Sequence, residues 1–201
     1  MIDKDRQPEQ PEIPAGHPKR RRRLGRPAAL ALVLVIAALI VGLDRWTKIL
    51  AVQHLTDGPI PLIPRFMDFH LVYNDGAAWG LMSGAKPYFL IVTIVSLVLV
   101  FGYLIYRREQ SPLAVIALGL FVGGTLGNAY DRFLHGQVVD FLHTLFIDFP
   151  VFNVADSALT VGAILIVVFV IFTSGWKKPE AKDQRAAAAV AEDESSSDTD
   201  A

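Results

Sequence analysis

The chain has 201 residues, 52% of them hydrophobic, a formal net charge of −1 and no cysteine. With a mean hydropathy of +0.39 it is too apolar for an ordinary soluble domain and reads as a compact membrane protein built on one bundle. The missing cysteine excludes a disulfide, a thiol nucleophile, a Cys-based metal site and a lipid carried on cysteine.

Charge is unevenly laid out. Residues 1–27 hold eight Lys/Arg against four Asp/Glu, and residues 177–201 hold four against seven. Both stretches are polar, rich in Pro or Ala/Ser and poor in aromatics, so each is expected to be a disordered cytoplasmic tail, the first of them basic. The run "KRRRRLGR" lies beside a hydrophobic segment. It is therefore read as an orientation signal in contact with anionic lipid, and no nucleic-acid partner is expected.

Between the tails, residues 28–176 form the expected membrane domain. The first span is Ala28–Leu43, extended through "DRWTKILAV" if those polar residues lie inside the protein. No small-residue cleavage site follows it, so it is retained as a span. Next comes "DGPIPLIPRFMDFHLVYNDGAAWG", where Met67, Phe69, Leu71 and Tyr73 alternate with Asp68, His70, Val72 and Asn74. That alternation, closed by the "NDG" turn, predicts a small β element on the membrane surface, with Trp79 and Tyr88 near the headgroups. The second span is Pro87–Tyr106 and the third Leu113–Tyr130, where Gly119, Gly123 and Gly127 recur every four residues and predict close helix packing. A short extended piece is expected around "LFIDFPVF", and Ser157–Trp176 is the fourth span. Each run approaches the roughly 20 helical residues that cross a bilayer core.

The fold class predicted is an all-α membrane protein: four transmembrane helices, with a small extracytoplasmic β element and loop capping the outer end. Basic clusters precede span one, join spans two and three (Arg107, Arg108) and follow span four (Lys177, Lys178). Four crossings put all of them on one side, so both termini are predicted to be cytoplasmic.

Polar groups then collect near the outer face: Asp44 and Lys48, Asn74, Asn128, Asp131, Arg132, Asp140, Asn153 and Asp156. Each also has a purely structural explanation. Asp44 and Lys48 stand four apart and suit an ion pair on one helical face. Asp131 and Arg132 suit a solvated loop pair, with Arg132 as the counter-charge of Asp131. Asn153 suits an N-cap of span four with Asp156 at its third position. His135 and His143 read as lone loop histidines, without HExxH or Cys/His spacing, and no metal is expected. The chain has no Ser–Lys or Cys–His arrangement on matched elements, no P-loop and no GxGxxG. What remains is a surplus of carboxylates from different segments. Two of them sharing a proton supply an acid and a base at neutral pH, as in aspartic proteolysis.

Taken in order, "DRWTK", "NDGAAWG", "GNAYDRFLHGQVVDF" and "FNVADSAL" resemble the signature blocks of lipoprotein signal peptidase (signal peptidase II). The resemblance covers roughly residues 28–175. It implies an aspartic endopeptidase of the bacterial inner membrane, with its active site at the outer face and no cofactor. Such an enzyme cleaves prolipoproteins on the amino side of a diacylglyceryl-modified cysteine. It further implies Asp140 and Asp156 as the catalytic pair. Asp44, Lys48, Asn74, Asn128, Asp131, Arg132, Asn153 and Ala155 would support the site or bind substrate. Trp79 departs from the family pattern, which more often has Phe there. Diacylglyceryl-modified prolipoproteins and membrane lipids are the expected partners, and the chain is expected to be monomeric. The rival is a small proton-coupled transporter using the same carboxylates as a relay. It calls for acids near the midplane and often an inverted repeat, and no repeat is visible.

Overall fold

The computed structural model describes residues 23–76 and 84–173; the tails beyond them, and Trp79, lie outside the described residues. Among these, four helices are long and apolar enough to cross a membrane: α1 (Arg26–His54), α2 (Lys86–Tyr106), α3 (Pro112–His135) and α4 (Val154–Thr173). A proline at the first or second position starts each of α1, α2 and α3, where its missing N–H costs nothing and its fixed φ favours the helix. The two-residue strands β1 (Leu24–Gly25) and β4 (Glu109–Gln110) pair beside the start of α1, and β1 lies inside the stretch assigned to the N-terminal tail. Arg26 also donates there to the carbonyls of Tyr106 and Arg107. Arg26, Arg107 and Arg108 therefore gather at one end of the bundle.

The third helix is the centre. Its mean hydropathy, 1.6, is the lowest of the four, yet 56% of its apolar window is buried, against 11–22% for the others. The two facts have one cause, because polar groups on a membrane helix are tolerated where protein covers them. Gly119 and Gly123 lie against Ile36 and Ile40 of α1, and Gly127 against Asp44. The four-residue glycine spacing is thus a packing seam, as expected. A Cβ on Gly124 would sit 2.3 Å from the Ala155 carbonyl oxygen and 2.6 Å from the Leu159 nitrogen. Both are backbone atoms of α4 and cannot turn aside. Gly124→Ala should therefore cost several kcal/mol and displace the start of α4, read as poor accumulation and a lower melting temperature in detergent. Unchanged melting would contradict this packing.

The end remote from Arg107 carries an antiparallel sheet of β2 (Ile60–Ile63), β3 (Met67–Asn74) and β5 (Val138–Thr144), in the order β2-β3-β5. The predicted alternation over 67–74 is strand β3. Its Phe69 and Leu71 pack with Ala51, Leu55, Phe141 and Leu142 into a small apolar core.

Two boundaries differ from expectation. Asp131 and Arg132 are not in a loop, because α3 runs on to His135 and stops at Gly136, whose φ of 78° is the left-handed cap that suits glycine. The polar residues of its last turns find partners inside the protein, so hydropathy alone ends the helix too early. Around "LFIDFPVF", only Phe152 forms a bridge, with Leu142, while the strand itself lies earlier, at 138–144. There the N–H groups of Phe141 and Leu142 both donate to the Phe152 carbonyl, at 3.0 and 2.8 Å. That bulge turns both side chains to the core and erases the period-two signal.

Candidate active site

The loop before α4 builds its own helix start. Asn153 Oδ1 accepts the Asp156 N–H at 2.9 Å, and Asp156 Oδ2 accepts the Asn153 N–H at 3.1 Å. This reciprocal pair satisfies two amides that a helix N-terminus leaves open. The capping role expected of Asn153 is therefore real, but it does not use up either side chain. Asn153 Nδ2 also donates to Asp140 Oδ1 at 2.7 Å. One buried residue thus holds both carboxylates, Asp156 through its backbone and Asp140 through its amide.

Asp140 reaches the site from β5, where it pairs with Val72. Its second oxygen accepts from Asn74 Nδ2 at 2.9 Å, and Asn74 is itself fixed by accepting the Gly76 N–H. Asp140 is 2% exposed. Burial, and then the charge of Asp156, push its carboxyl up to about 6, against the opposing amide donors of Asn74 and Asn153. Asp156 Oδ1 accepts from Asn128 Nδ2 at 2.7 Å.

Behind the pair lies a buried ionic box. The Lys48 ammonium meets Asp44 and Asp131 at 2.8 Å each and Asn128 Oδ1 at 3.1 Å. The ammonium thus sits between two carboxylates and donates a hydrogen bond to the amide oxygen. The expected Asp44–Lys48 pair forms, as part of this larger arrangement. Asp44 also accepts the Ala155 N–H at 3.0 Å, joining α1 to the first turn of α4. Lys48 fixes the orientation of the Asn128 amide, with oxygen toward the cation and nitrogen toward Asp156.

Arg132 is not the partner of Asp131. Asp131 is paired with Lys48 and with Arg45, whose guanidinium also lies over the Tyr130 ring. Adjacent residues on a helix point about 100° apart, so Arg132 faces elsewhere. It donates to the Gly76 carbonyl at 3.0 Å and lies 4.4 Å over the Phe89 ring. From there its charge acts on Asp156 and Asp140 and, less, on Asp131, so the expected counter-charge relation persists without a direct contact. Arg45 was missed by the sequence reading, although it sits inside "DRWTK" beside Asp44. His143 is not a loop residue: it lies on β5 opposite Asp68, while His135 ends α3.

A cavity of about 690 Å³ opens between α2, α3 and α4. Asn74, Asn128, Arg132, Asp140 and Asp156 line its polar end. Its lining continues along α4 from Asp156 to Ile164, about 12 Å, past Leu159 and, from neighbouring helices, Val92 and Phe121. Two carboxylates that share one anchoring residue thus face a cleft with a long apolar flank.

The model of a known family, Signal peptidase (SPase) II, matches residues 36–172. This chain belongs to the signal peptidase II family. A lipoprotein signal peptidase of Geobacillus thermodenitrificans is 44% identical over 69% of this chain and 88% of its own length. One of Enterococcus faecalis is 40% identical over 71% and 89%, and one of Staphylococcus aureus 39% identical over 74% and 94%. A solved structure described as a bacterial membrane enzyme superposes with a TM-score of 0.69 at 36% identity, covering 75% of this chain and 94% of that one. Like other signal peptidase II members, the chain is a peptidase, and its four apolar helices make it a multi-pass membrane protein. The transporter alternative has no support, and its acids lie at one end of the bundle.

Proposed function

We propose that this protein is an aspartic endopeptidase that removes the signal peptide from diacylglyceryl-modified prolipoproteins, with Asp140 and Asp156 as the catalytic pair. The observation that carries this is the joint hold of Asn153 on both carboxylates at the polar end of the cavity. The local charge count supports it. Asp44, Asp131, Asp140 and Asp156 face Arg45, Lys48 and Arg132, so the cluster is neutral when it holds one proton. Asp44 and Asp131 are engaged by cations, which leaves that proton to Asp140 and Asp156 as a pair.

The chemistry follows from the sharing. The ionised carboxylate takes a proton from a water held between the two groups, and the water oxygen attacks the scissile carbonyl. The protonated carboxyl gives its proton to the carbonyl oxygen. Collapse of the tetrahedral intermediate breaks the C–N bond, and a proton passes to the leaving amine, which becomes the new N-terminus of the cysteine. The apolar flank of the cavity suits an apolar peptide and acyl chains entering sideways from lipid, and Arg132 is placed to hold a peptide carbonyl.

The test is a cleavage assay with purified protein in detergent and EDTA, since the reaction uses no metal or nucleotide. Lipidated prolipoprotein is expected to lose its signal peptide, while its Cys→Ser version, which cannot be lipidated, stays intact. Equal cleavage of both would remove the lipid-dependent function. The basic end of the bundle is assigned to the cytoplasm, which puts the sheet and the site at the outer leaflet of a bacterial inner membrane. A reporter fused after Lys178 should then behave as cytoplasmic and one inserted near Gly58 as exterior. The reverse result would invert this orientation. The protein is expected to act as a monomer.

A further inference from the structure

Strands β3 and β5 bring together three side chains that the peptidase chemistry does not use. Asp68 and His70 alternate on β3, on the face opposite Phe69 and Leu71, which are packed into the small core. His143 pairs with Asp68 across the sheet. Its Nδ1 lies 3.0 Å from Asp68 Oδ1, and its ring meets that of His70 edge to face with centroids 5.5 Å apart. One ligand atom from each of the three lies within 4.8 Å of the others.

We propose that Asp68, His70 and His143 form a binding site for a divalent transition metal ion, with zinc the best match. Two imidazoles and one carboxylate are a donor set that zinc accepts in tetrahedral geometry, leaving the fourth position to water. Ligands about 2.0–2.1 Å from the metal stand roughly 3.4 Å from one another, so the three need only modest side-chain rotation to close on an ion. The backbone has already done most of the work. Asp68 and His143 are fixed by ladder register, and His70 is brought against His143 where the β3–β5 register shifts between Phe69 and Val72. A cross-strand hydrogen bond accounts for Asp68 and His143 but leaves the edge-on approach of His70 without a purpose. The side chains of His143 and Asp68 are 30% and 15% exposed, which leaves an entry path and room for a water ligand. Calcium and magnesium are disfavoured, since both prefer oxygen donors.

This site is separate from the peptidase chemistry and does not depend on it. β3 continues to Asn74 and β5 carries Asp140, so an ion here would clamp the two strands that position the Asp140 carboxylate. On binding, the His143–Asp68 hydrogen bond gives way to two metal–ligand bonds, and a proton on a ligating nitrogen is released while the other ring nitrogen keeps its N–H.

The test uses the untagged full-length protein in detergent, stripped with EDTA and passed through a desalting column. Zinc is then added in competition with a chromogenic chelator, and copper(II) is added separately for electron paramagnetic resonance. One zinc per chain is expected, with a rise in melting temperature and a copper spectrum showing two nitrogen ligands. His70→Ala and His143→Ala should each weaken zinc binding at least tenfold and abolish the zinc-dependent melting shift. Both should keep the metal-free melting temperature within a few degrees, which separates a lost ligand from a lost fold. Zinc binding that both variants leave intact, or no stoichiometric zinc at all, would overturn the site.

Discussion

Asp140→Asn and Asp156→Asn should each lower turnover by roughly 10³-fold or more, while the protein remains folded and still binds lipidated substrate. An amide at either position leaves one carboxylate, which cannot both take a proton from water and give one to the carbonyl. Single-turnover cleavage alongside a binding measurement checks this, and substantial turnover in either variant would dissolve the pair. Asp140→Asn should also change stability in a direction that a structural residue would not. Burial and Asp156 hold the Asp140 carboxyl at about 6, above its usual 3.8, so the folded state prefers the protonated form. That preference stabilises fully below pH 4 and is lost as pH rises through about 6, a swing on the order of 2–3 kcal/mol. The neutral variant lacks this loss. Its melting temperature relative to the parent should therefore rise between pH 4.5 and pH 7.5. Parallel melting curves would show that Asp140 is not held in this environment.

A still larger effect on folding is expected from Lys48→Met. The side chain is 1% exposed, and its ammonium is matched to Asp44, Asp131 and Asn128. Removing it leaves the fully buried Asp44 carboxylate without a counter-charge and Asp131 with Arg45 alone, at a cost of about 3–5 kcal/mol. That is enough to unfold a marginal domain, and little protein should accumulate. Asp131→Asn is the informative contrast. It leaves Lys48 with Asp44, and the partner it strands, Arg45, is 25% exposed and lies over Tyr130. The expected loss is about 1–3 kcal/mol, seen as a lower melting temperature with cleavage recovered on cooling. If folded Asp131→Asn were inactive at every temperature while Asp140→Asn stayed active, the two acids would exchange roles.

Much of this was legible in the sequence, and the limits have physical causes. Hydropathy found the four helices because lipid-facing residues must be apolar whatever the fold. It stopped short at Tyr130 because Asp131 and Arg132 turn inward to Arg45, Lys48 and Phe89, and a hydropathy profile carries no direction. β3 was visible because its apolar and polar residues alternate in sequence, and Phe69 and Leu71 of the apolar set do pack into the small core. β5 was hidden by the bulge at Phe141 and Leu142. The wrong partner for Asp131 came from the same source: neighbours in sequence diverge on a helix, whereas Arg45, 86 residues away, and Lys48 are the ones that meet it. The gathering of Asp68, His70 and His143 depends on ladder register, which no single strand specifies.

The packing of α2 has a consequence for motion. Its buried residues, Val100 and Leu104, both lie in its last two turns, at the basic end. Near the cavity it is held by Lys86, donating to the Phe133 carbonyl at 3.0 Å on an exposed surface, and by Phe89 beneath Arg132. Local opening costs least where few apolar contacts must be broken. The first turns of α2 should therefore exchange their amide hydrogens well before the glycine seam of α3. On the proposed function, an acylated chain arriving from the bilayer would meet a wall packed more closely at its far end than beside the two aspartates.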